Sequence, residues 1–446
     1  MRHLAGRILL MALTTILSIM IFVLYSKIIA DFFYVRTTYK GLHTVSDDCA
    51  DDTTVKILLL IPALREQNVI VNTLEHFKNI KVRNVELIIC VAGTSREKSD
   101  NPEYVSTGNV VNSWIANSAQ NQSHVFKYVE INEEQGDRAS QLNHAVREIG
   151  GYFKPDIIGV YDADSLPDIQ TLSEVVAKWS RSKETIFQQP VHFIDAANSM
   201  AVAGKNPVLV ATALYQTTWT VVREYPRWRQ HHLFCKKNPD KLYYRNDYLI
   251  GHGEFIPYSV YRKYYFPEQQ ITDGIQLGYR LSMSGADICP LNSFCSDDVP
   301  QSLSQLIGQH KRWFGGCNLL LSSYRWCKEN IGIASMCQVI DGFWSQLSWA
   351  YAGIIGVVGL ILSLICIANG KFFLASLELI GLFIYCYIIP YIAHIILPFS
   401  LKIRFIDWLC LPLAIFVKGI GPNLYIFQTI LSVFTRKKIK YSKVER

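Results

Sequence analysis

The chain has 446 residues, half of them hydrophobic, and carries 44 Lys and Arg against 37 Asp and Glu, a formal net charge of +7. That apolar content exceeds what one soluble domain needs and excludes a disordered or purely soluble chain. Much of the excess positive charge sits in the terminal RKKIKYSKVER, which reads as a contact with anionic lipid and argues against nucleic acid as a partner.

Residues 8–26 (ILLMALTTILSIMIFVLYS) carry no charge and are long enough to span a bilayer core. Their length, and the lack of a small-residue cleavage pattern before DFFYVR, favour a retained anchor over a cleaved signal peptide. Short apolar runs follow at 55–61 (VKILLLI), 85–91 (VELIICV), 125–131 and 157–161. Between them lie polar stretches with helical character: REQNVIVNTLEHFKNI, GDRASQLNHAVREIG and, past the last run, PDIQTLSEVVAKWS. Buried runs of this length alternating with helices predict a mostly parallel sheet covered on both faces, with ligands at the carboxyl ends of its strands.

Asp162 and Asp164 fall at one such end, in VYDADSLP. The pair reads either as a turn and helix cap, a role Asp168 and Ser165 can also fill, or as hard oxygen ligands for a divalent cation. Further on, LSQLIGQHKRWFGG places Gln309, Arg312 and Trp313 at i, i+3 and i+4 of a helix. Arg offers a rigid donor fork for a diphosphate and Trp a flat face for a sugar ring. The same helix also reads as an interfacial one whose Lys311 and Arg312 meet lipid phosphates.

Residues 342–370 are free of charge, 372–400 carry only Glu378 and His394, and 405–434 are apolar but interrupted by Asp407, Lys418 and GIGP. Glu378 and His394 are expected near helix ends, reaching the interface. The expected organisation is an anchor at 1–34, a soluble α/β domain at 50–325, an interfacial helix or linker at 326–341, membrane or interfacial helices at 342–434 and a basic tail at 435–446. The tail belongs on the cytoplasmic side, so a cytoplasmic catalytic domain requires an even number of crossings after it. Residues 405–434 then lie in the interface, re-enter or form a short hairpin. The expectation is a multi-pass protein of the plasma or inner membrane. The 11 cysteines are scattered without metal spacing and predict no disulfide framework; NQS at 121–123 is a glycosylation sequon only if luminal.

DAD, a glycine-rich segment, QxxRW and then membrane helices, in that order, resemble the membrane-bound family 2 glycosyltransferases over about residues 55 to 320. Cellulose, chitin and hyaluronan synthases and ceramide glucosyltransferase share that layout. The resemblance implies an α/β, GT-A-like (Rossmann-related) domain flanked by transmembrane helices. It points to Ala63, Arg65 and Glu66 of IPALREQ for the nucleotide sugar. GDRASQLNHA adds Arg138, Leu142 and Asn143, and Asp162 joins that set. GHGEFIPYSVY resembles the acceptor-side segment and points to His252, Gly253 and Glu254.

Two departures stand out. Where the family carries an aspartate after its second strand, Val91 and Ala92 stand here, leaving recognition to Glu66, Thr94 or Glu97. The family's T-E-D becomes T-D-G, with Asp273 on the Glu position and Gly274 on that of the catalytic Asp. Asp273 is either the base, with Glu254 and Glu268 as fallbacks, or a helix cap.

What these residues permit is an inverting transfer from a nucleotide sugar, a UDP-sugar first, to a membrane-associated lipid or glycan acceptor. Asp164 with Asp162 would hold Mg²⁺ or Mn²⁺, Arg312 with Gln309 would meet the diphosphate, Asp273 would take the acceptor proton, and Trp313 would cap the acceptor. A processive polysaccharide synthase and a nucleotide-sugar-binding scaffold without catalysis remain as alternatives.

Overall fold

The computed structural model describes residues 2–43, 54–97, 105–118, 124–132, 137–193, 206–270, 272–297, 300–397 and 403–435. The 121–123 sequon and the basic tail lie outside them.

Four apolar runs form the strands expected of them: β1 (Val55–Pro62), β2 (Val85–Thr94), β3 (Val125–Ile131) and β4 (Ile157–Val160). After them come β5 (Leu166–Pro167), β6 (Ile186–Gln188), β7 (Val191–His192), β8 (Glu254–Pro257), β9 (Ile288–Pro290) and β10 (Cys295–Ser296). The main sheet runs β3-β2-β1-β4-β8-β6-β9, and a small one runs β5-β10-β7. Strands β1 to β4 pair in parallel. Strand β8 enters antiparallel between β4 and β6, and β6 with β9 is parallel again. The expected mostly parallel sheet is the observed one.

Side chains alternate across a strand, so β1 divides the core in two. Ile57, Leu59 and Ile61 pack with Leu74, Phe77 and Val111 of the helices Ile70–Asn79 and Thr107–Ser118. Leu58 and Leu60 pack on the opposite face with Leu142, Val146 and Leu277 of the helices Arg138–Phe153 and Asp273–Met283. Both faces are thus covered, as a parallel sheet requires.

The helix starts fix the site. Asp137 caps Arg138–Phe153, its Oδ1 accepting from the Ser140 amide at 2.8 Å. Asp273–Met283 is locked where it is by two glycines. A Cβ on Gly278 would lie 2.0 Å from the Leu249 backbone nitrogen, and one on Gly274 would lie 2.3 Å from Gly251 Cα. The helix Leu303–Cys317, capped by Ser302, closes over its start: a Cβ on Gly316 would lie 1.7 Å from Thr272 Oγ1.

Four helices are long and apolar enough to cross a membrane: Ala5–Leu42, Met336–Ala368, Phe372–Ile395 and Leu411–Ser432. Across 326–341 lie the end of a helix at Leu320–Asn330, a turn at Gly332 with φ +83° and the start of the second long helix at Met336. Expected as one apolar segment, 405–434 divides into Phe405–Leu409 and Leu411–Thr435. Glu378 does not reach an interface: it is buried inside its helix against Gly359, whose missing side chain makes room for its carboxyl. His394 does sit in the last turn of its helix. The ten cysteines among the described residues are free.

Gly278→Ala forces a methyl into the 248–249 backbone, an overpacking that costs about 1–3 kcal/mol. The thermal unfolding midpoint in detergent is expected to fall, and the start of the Asp273–Met283 helix to become protease-sensitive.

Candidate active site

Strand β4 ends with the Tyr161 amide donating to the Leu60 carbonyl at 3.0 Å, and the chain then turns, the Ser165 amide donating to the Asp162 carbonyl at 3.1 Å. This turn displays the two aspartates differently. Asp162 opens onto a cavity of about 440 Å³, whereas Asp164 is buried at 7% exposure.

Arg138 ties the cavity floor together. Its Nη1 donates to Asp273 Oδ2 at 2.5 Å and its Nη2 to Asp162 Oδ1 at 3.1 Å, and Nη2 also donates to the Gly251 carbonyl. Burial by itself would lower the guanidinium pKa, but Asp273, Asp162 and Glu254 overcome that and raise it. Asp273 is the first residue of its helix, after Thr272 as N-cap. Its carboxylate faces Arg138, and although Thr272 holds the N-cap position, Asp273 in the first turn also sits at the positive end of the helix dipole. An aspartate at 274 has no room, because Gly251 backbone occupies that space. The T-D-G departure therefore has a steric cause.

Glu254 lies in β8, fully buried, with neither carboxyl oxygen hydrogen-bonded. Burial pushes its pKa up to about 8, with Arg138 restraining the rise, so it is largely protonated at neutral pH. Its neighbour Gly253 takes φ +60°, a conformation that favours glycine, and its amide donates to the Val160 carbonyl at 2.7 Å. Gly253 and Glu254 thus buttress the end of β4 and do not line the cavity.

The nucleotide-side residues divide likewise. Glu66 lines the cavity, its amide donating to Thr107 Oγ1 at 2.9 Å. Ala63 is buried at the end of β1, its amide donating to the Ala92 carbonyl, and Arg65 follows with φ +58°. Asn143 does not reach the cavity. Its amide group donates to Glu268 Oε1 and the Phe266 carbonyl, and its oxygen accepts from Tyr261 and the Phe266 amide. That network also occupies Glu268, expected as a fallback base. Glu97 accepts from both the amide and the hydroxyl of Thr107, and so supports Glu66 from behind.

The helix Leu303–Cys317 brings Arg312 and Trp313 into the cavity, while Gln309, at 6% exposure, faces a separate small apolar pocket behind Trp313. Three groups with no role in the sequence reading join the cavity or its wall. His310 is buried behind Trp313, its ring 5.6 Å from that of Trp313. Glu224 accepts from Tyr248 and Thr220. Lys418 lies over the rings of Tyr215 and Trp219 at 4.9 Å each and of Trp349 at 5.8 Å. Only Lys418 left a trace, as a charge in an apolar run. The cavity runs from Asp162 and Arg138 at the sheet to Gln346, Trp349 and Lys418 of the membrane-capable helices.

Burial, and then Lys418, lower the His310 pKa to about 3. A histidine whose folded pKa is depressed contributes stability that is present above its unfolded pKa of about 6.5 and lost as pH falls toward the folded value. Thermal midpoints of the wild type should therefore drop between about pH 6.5 and 4, and His310→Gln should flatten that part of the profile.

A family described as glycosyltransferase like family 2 matches residues 55–316. No curated protein matches the chain. Among solved structures, the mannosyltransferase PcManGT from Pyrobaculum calidifontis, in complex with GDP-Man and Mn²⁺, shares 14% identity at a TM-score of 0.53, covering 91% of this chain and 99% of its own. The S. aureus TarS 1–349 structure with UDP aligns at 10% identity and a TM-score of 0.37, over 60% of this chain and 65% of its own. The first of these likenesses bears on the fold; the second is too weak to support an argument.

Proposed function

Because the chain belongs to glycosyltransferase like family 2, and is thus an enzyme that moves sugar from a nucleotide-sugar donor, we propose that it performs an inverting, metal-dependent transfer to an acceptor held at the membrane. One observation carries this reading: a single cavity joins the strand-end Asp162, the Arg138–Asp273 pair, Arg312 and Trp313 to the membrane-capable helices.

An inverting transfer needs the leaving diphosphate neutralised, the acceptor hydroxyl deprotonated, and both aligned away from water. Asp162 and Asp164 are hard oxygen donors at the strand end, a donor chemistry that fits Mg²⁺ or Mn²⁺. When bound there, the ion would supply Lewis-acid neutralisation of the diphosphate oxygens. Arg312 would add a fixed cation to the same charge. Asp273, oriented by Arg138, would take the acceptor proton. Glu254 beneath it, largely neutral, adds no competing negative charge to the floor. Trp313 would cap the acceptor, and Gln309 would support that ring from behind. Ala63, Arg65 and Glu66 would meet the donor, a UDP-sugar first.

Purified full-length enzyme supplied with UDP- or GDP-sugars and lipid extract should add sugar to a lipid-phase product. Asp164→Asn and Asp273→Asn should each lower kcat by about 10²- to 10⁴-fold with folding intact. Transfer that persists in both variants would remove the mechanism, and a long water-soluble glycan as product would favour the processive synthase.

We further propose that the Leu411–Thr435 helix rests at the boundary between domain and membrane. It packs on domain helices along much of its length: Leu411, Ala414 and Ile415 on Ala211 and Leu214, and Val417 on Leu209 and Leu306. Gly421 lies so close to the Ile307 carbonyl that a Cβ would stand 2.7 Å from it. Two crossings then follow the domain, which places domain and basic tail together on the cytoplasmic face. Epitopes inserted in the 238–240 turn and appended after Arg446 should be cleaved from the same side of sealed vesicles. Cleavage from opposite sides would instead require the helix to cross.

A further inference from the structure

The end of the cavity away from the sheet has its own set of polar groups, supplied by helices distant in sequence. The helix Pro207–Trp219 passes through a π turn, Thr220–Glu224, into the helix Tyr225–Lys237. Five residues on, an α-helix faces about 140° away. The wider π turn narrows that angle, and Trp219 and Glu224 both line the cavity. On Met336–Ala368, Gly342, Ser345, Gln346 and Trp349 line it at i, i+3, i+4 and i+7, a small and polar stripe on a helix apolar enough to cross a membrane. Leu411–Thr435 adds Lys418.

Lys418 is 6% exposed and lies against the rings of Tyr215, Trp219 and Trp349. Such rings steady an ammonium but leave its N–H donors without strong acceptors. Among the described residues its Nζ has neither a hydrogen bond nor an ion pair. Glu224 does not fill that place, because its oxygens accept from the hydroxyls of Tyr248 at 2.8 Å and Thr220 at 2.9 Å. Arg138 and Arg227 line the same cavity, and each meets two carboxylates of the chain. A buried charge is costly unless it is paired.

We propose that the missing counter-charge is a phosphate of the acceptor: this compartment binds a lipid whose headgroup carries a phosphate, with Lys418 on the phosphate oxygens and Ser345 and Gln346 on headgroup hydroxyls.

A neutral acceptor would leave the Lys418 charge buried and unanswered. A lysine meets phosphate as a point charge and needs no donor fork. Gln346 donates its amide to the Cys317 carbonyl at 2.6 Å, which leaves its own oxygen to accept from a hydroxyl. The source follows from the elements: Ser345, Gln346 and Lys418 all stand on membrane-capable helices, where an approaching lipid carries its anionic group as phosphate between chain and headgroup.

This inference rests on the proposed transfer to a membrane-held acceptor, and its test separates the two. Full-length protein in an uncharged detergent would be titrated with dioctanoyl phosphatidate, dioctanoylglycerol and inorganic phosphate, following the emission of the indoles beside Lys418. Phosphatidate should bind about ten-fold or more tightly than dioctanoylglycerol. Lys418→Met should remove that advantage and Lys418→Arg keep part of it. Equal binding of the two lipids by the wild type, or an advantage that survives Lys418→Met, overturns the proposal. Saturation by inorganic phosphate at the concentrations that suffice for phosphatidate assigns the site to a free anion and overturns the lipid. A second measurement needs no substitution, so a misfolded variant does not obscure the answer. Labelled lipid made by the wild type from lipid extract and neutral UDP- or GDP-sugars should be retained on an anion-exchange column and released by salt. A neutral lipid product overturns the phosphate and leaves the membrane transfer standing. No lipid product from any donor overturns both.

Discussion

The site depends on one half-buried guanidinium. Arg138 reaches a strand end, a helix start and a turn carbonyl that lie far apart in sequence, and it holds Asp162 and Asp273 in one cavity wall. Without it two carboxylates would face each other above the buried Glu254, and like charges in a low-dielectric floor repel strongly. A lysine is a single point charge on a flexible stem, whereas the planar fork addresses two carboxylates from two nitrogens at once. The fork in turn depends on Asp137, whose cap fixes where the helix begins and so where Arg138 points.

The second constraint is the absence of side chains at three glycines. Gly274 admits the 251 backbone, Gly278 admits the 248–249 backbone, and Gly316 admits Thr272. These approaches press the start of the Asp273 helix between the 246–251 segment and the QxxRW helix. A carboxylate at 274 is sterically impossible in this arrangement, so the acid falls one residue earlier, where it meets Arg138. The same residue thus explains both the departure from the family pattern and its compensation.

How much of this was legible beforehand follows from the range of each interaction. Runs such as VKILLLI declare a buried strand by their own composition, and the four parallel strands emerged close to where the apolar residues lie. DAD could be placed at a strand end for the same local reason. Side-chain direction could not. Asn143 stands in a motif associated with the nucleotide but spends its hydrogen bonds on the 266–268 segment. Gln309 shares a helix with Arg312 and Trp313 yet faces the opposite side of Trp313. The Arg138–Asp273 pair spans 135 residues, and only the folded sheet edge brings it together. Glu378 looked like an interfacial residue because its segment reads as uniformly apolar; the glycine across from it, Gly359, belongs to another helix.

The aromatic and cationic end of the cavity joins the sheet-end residues to the membrane-capable helices. Lys418 is held over three rings, and the Trp349 indole donates to its carbonyl at 3.2 Å, so a helix following the domain contributes directly to the wall that Arg312 and Trp313 begin. His310, buried and neutral between Trp313 and Trp349, spares that wall a further positive charge. A soluble enzyme would have no use for such an end, because a water-borne acceptor could enter from the open side. An acceptor that stays in the lipid needs a route along the membrane-capable helices to the Asp273 carboxylate, and the Leu303–Cys317 helix, packed on both sides of that boundary, is the element that joins the two. Coupling of this kind explains why the residues that would neutralise the leaving group sit on a helix whose other face touches the membrane-side helices. On the proposed reading the donor would be met at the sheet edge and the acceptor would arrive from the helices, with that single helix setting the distance between them.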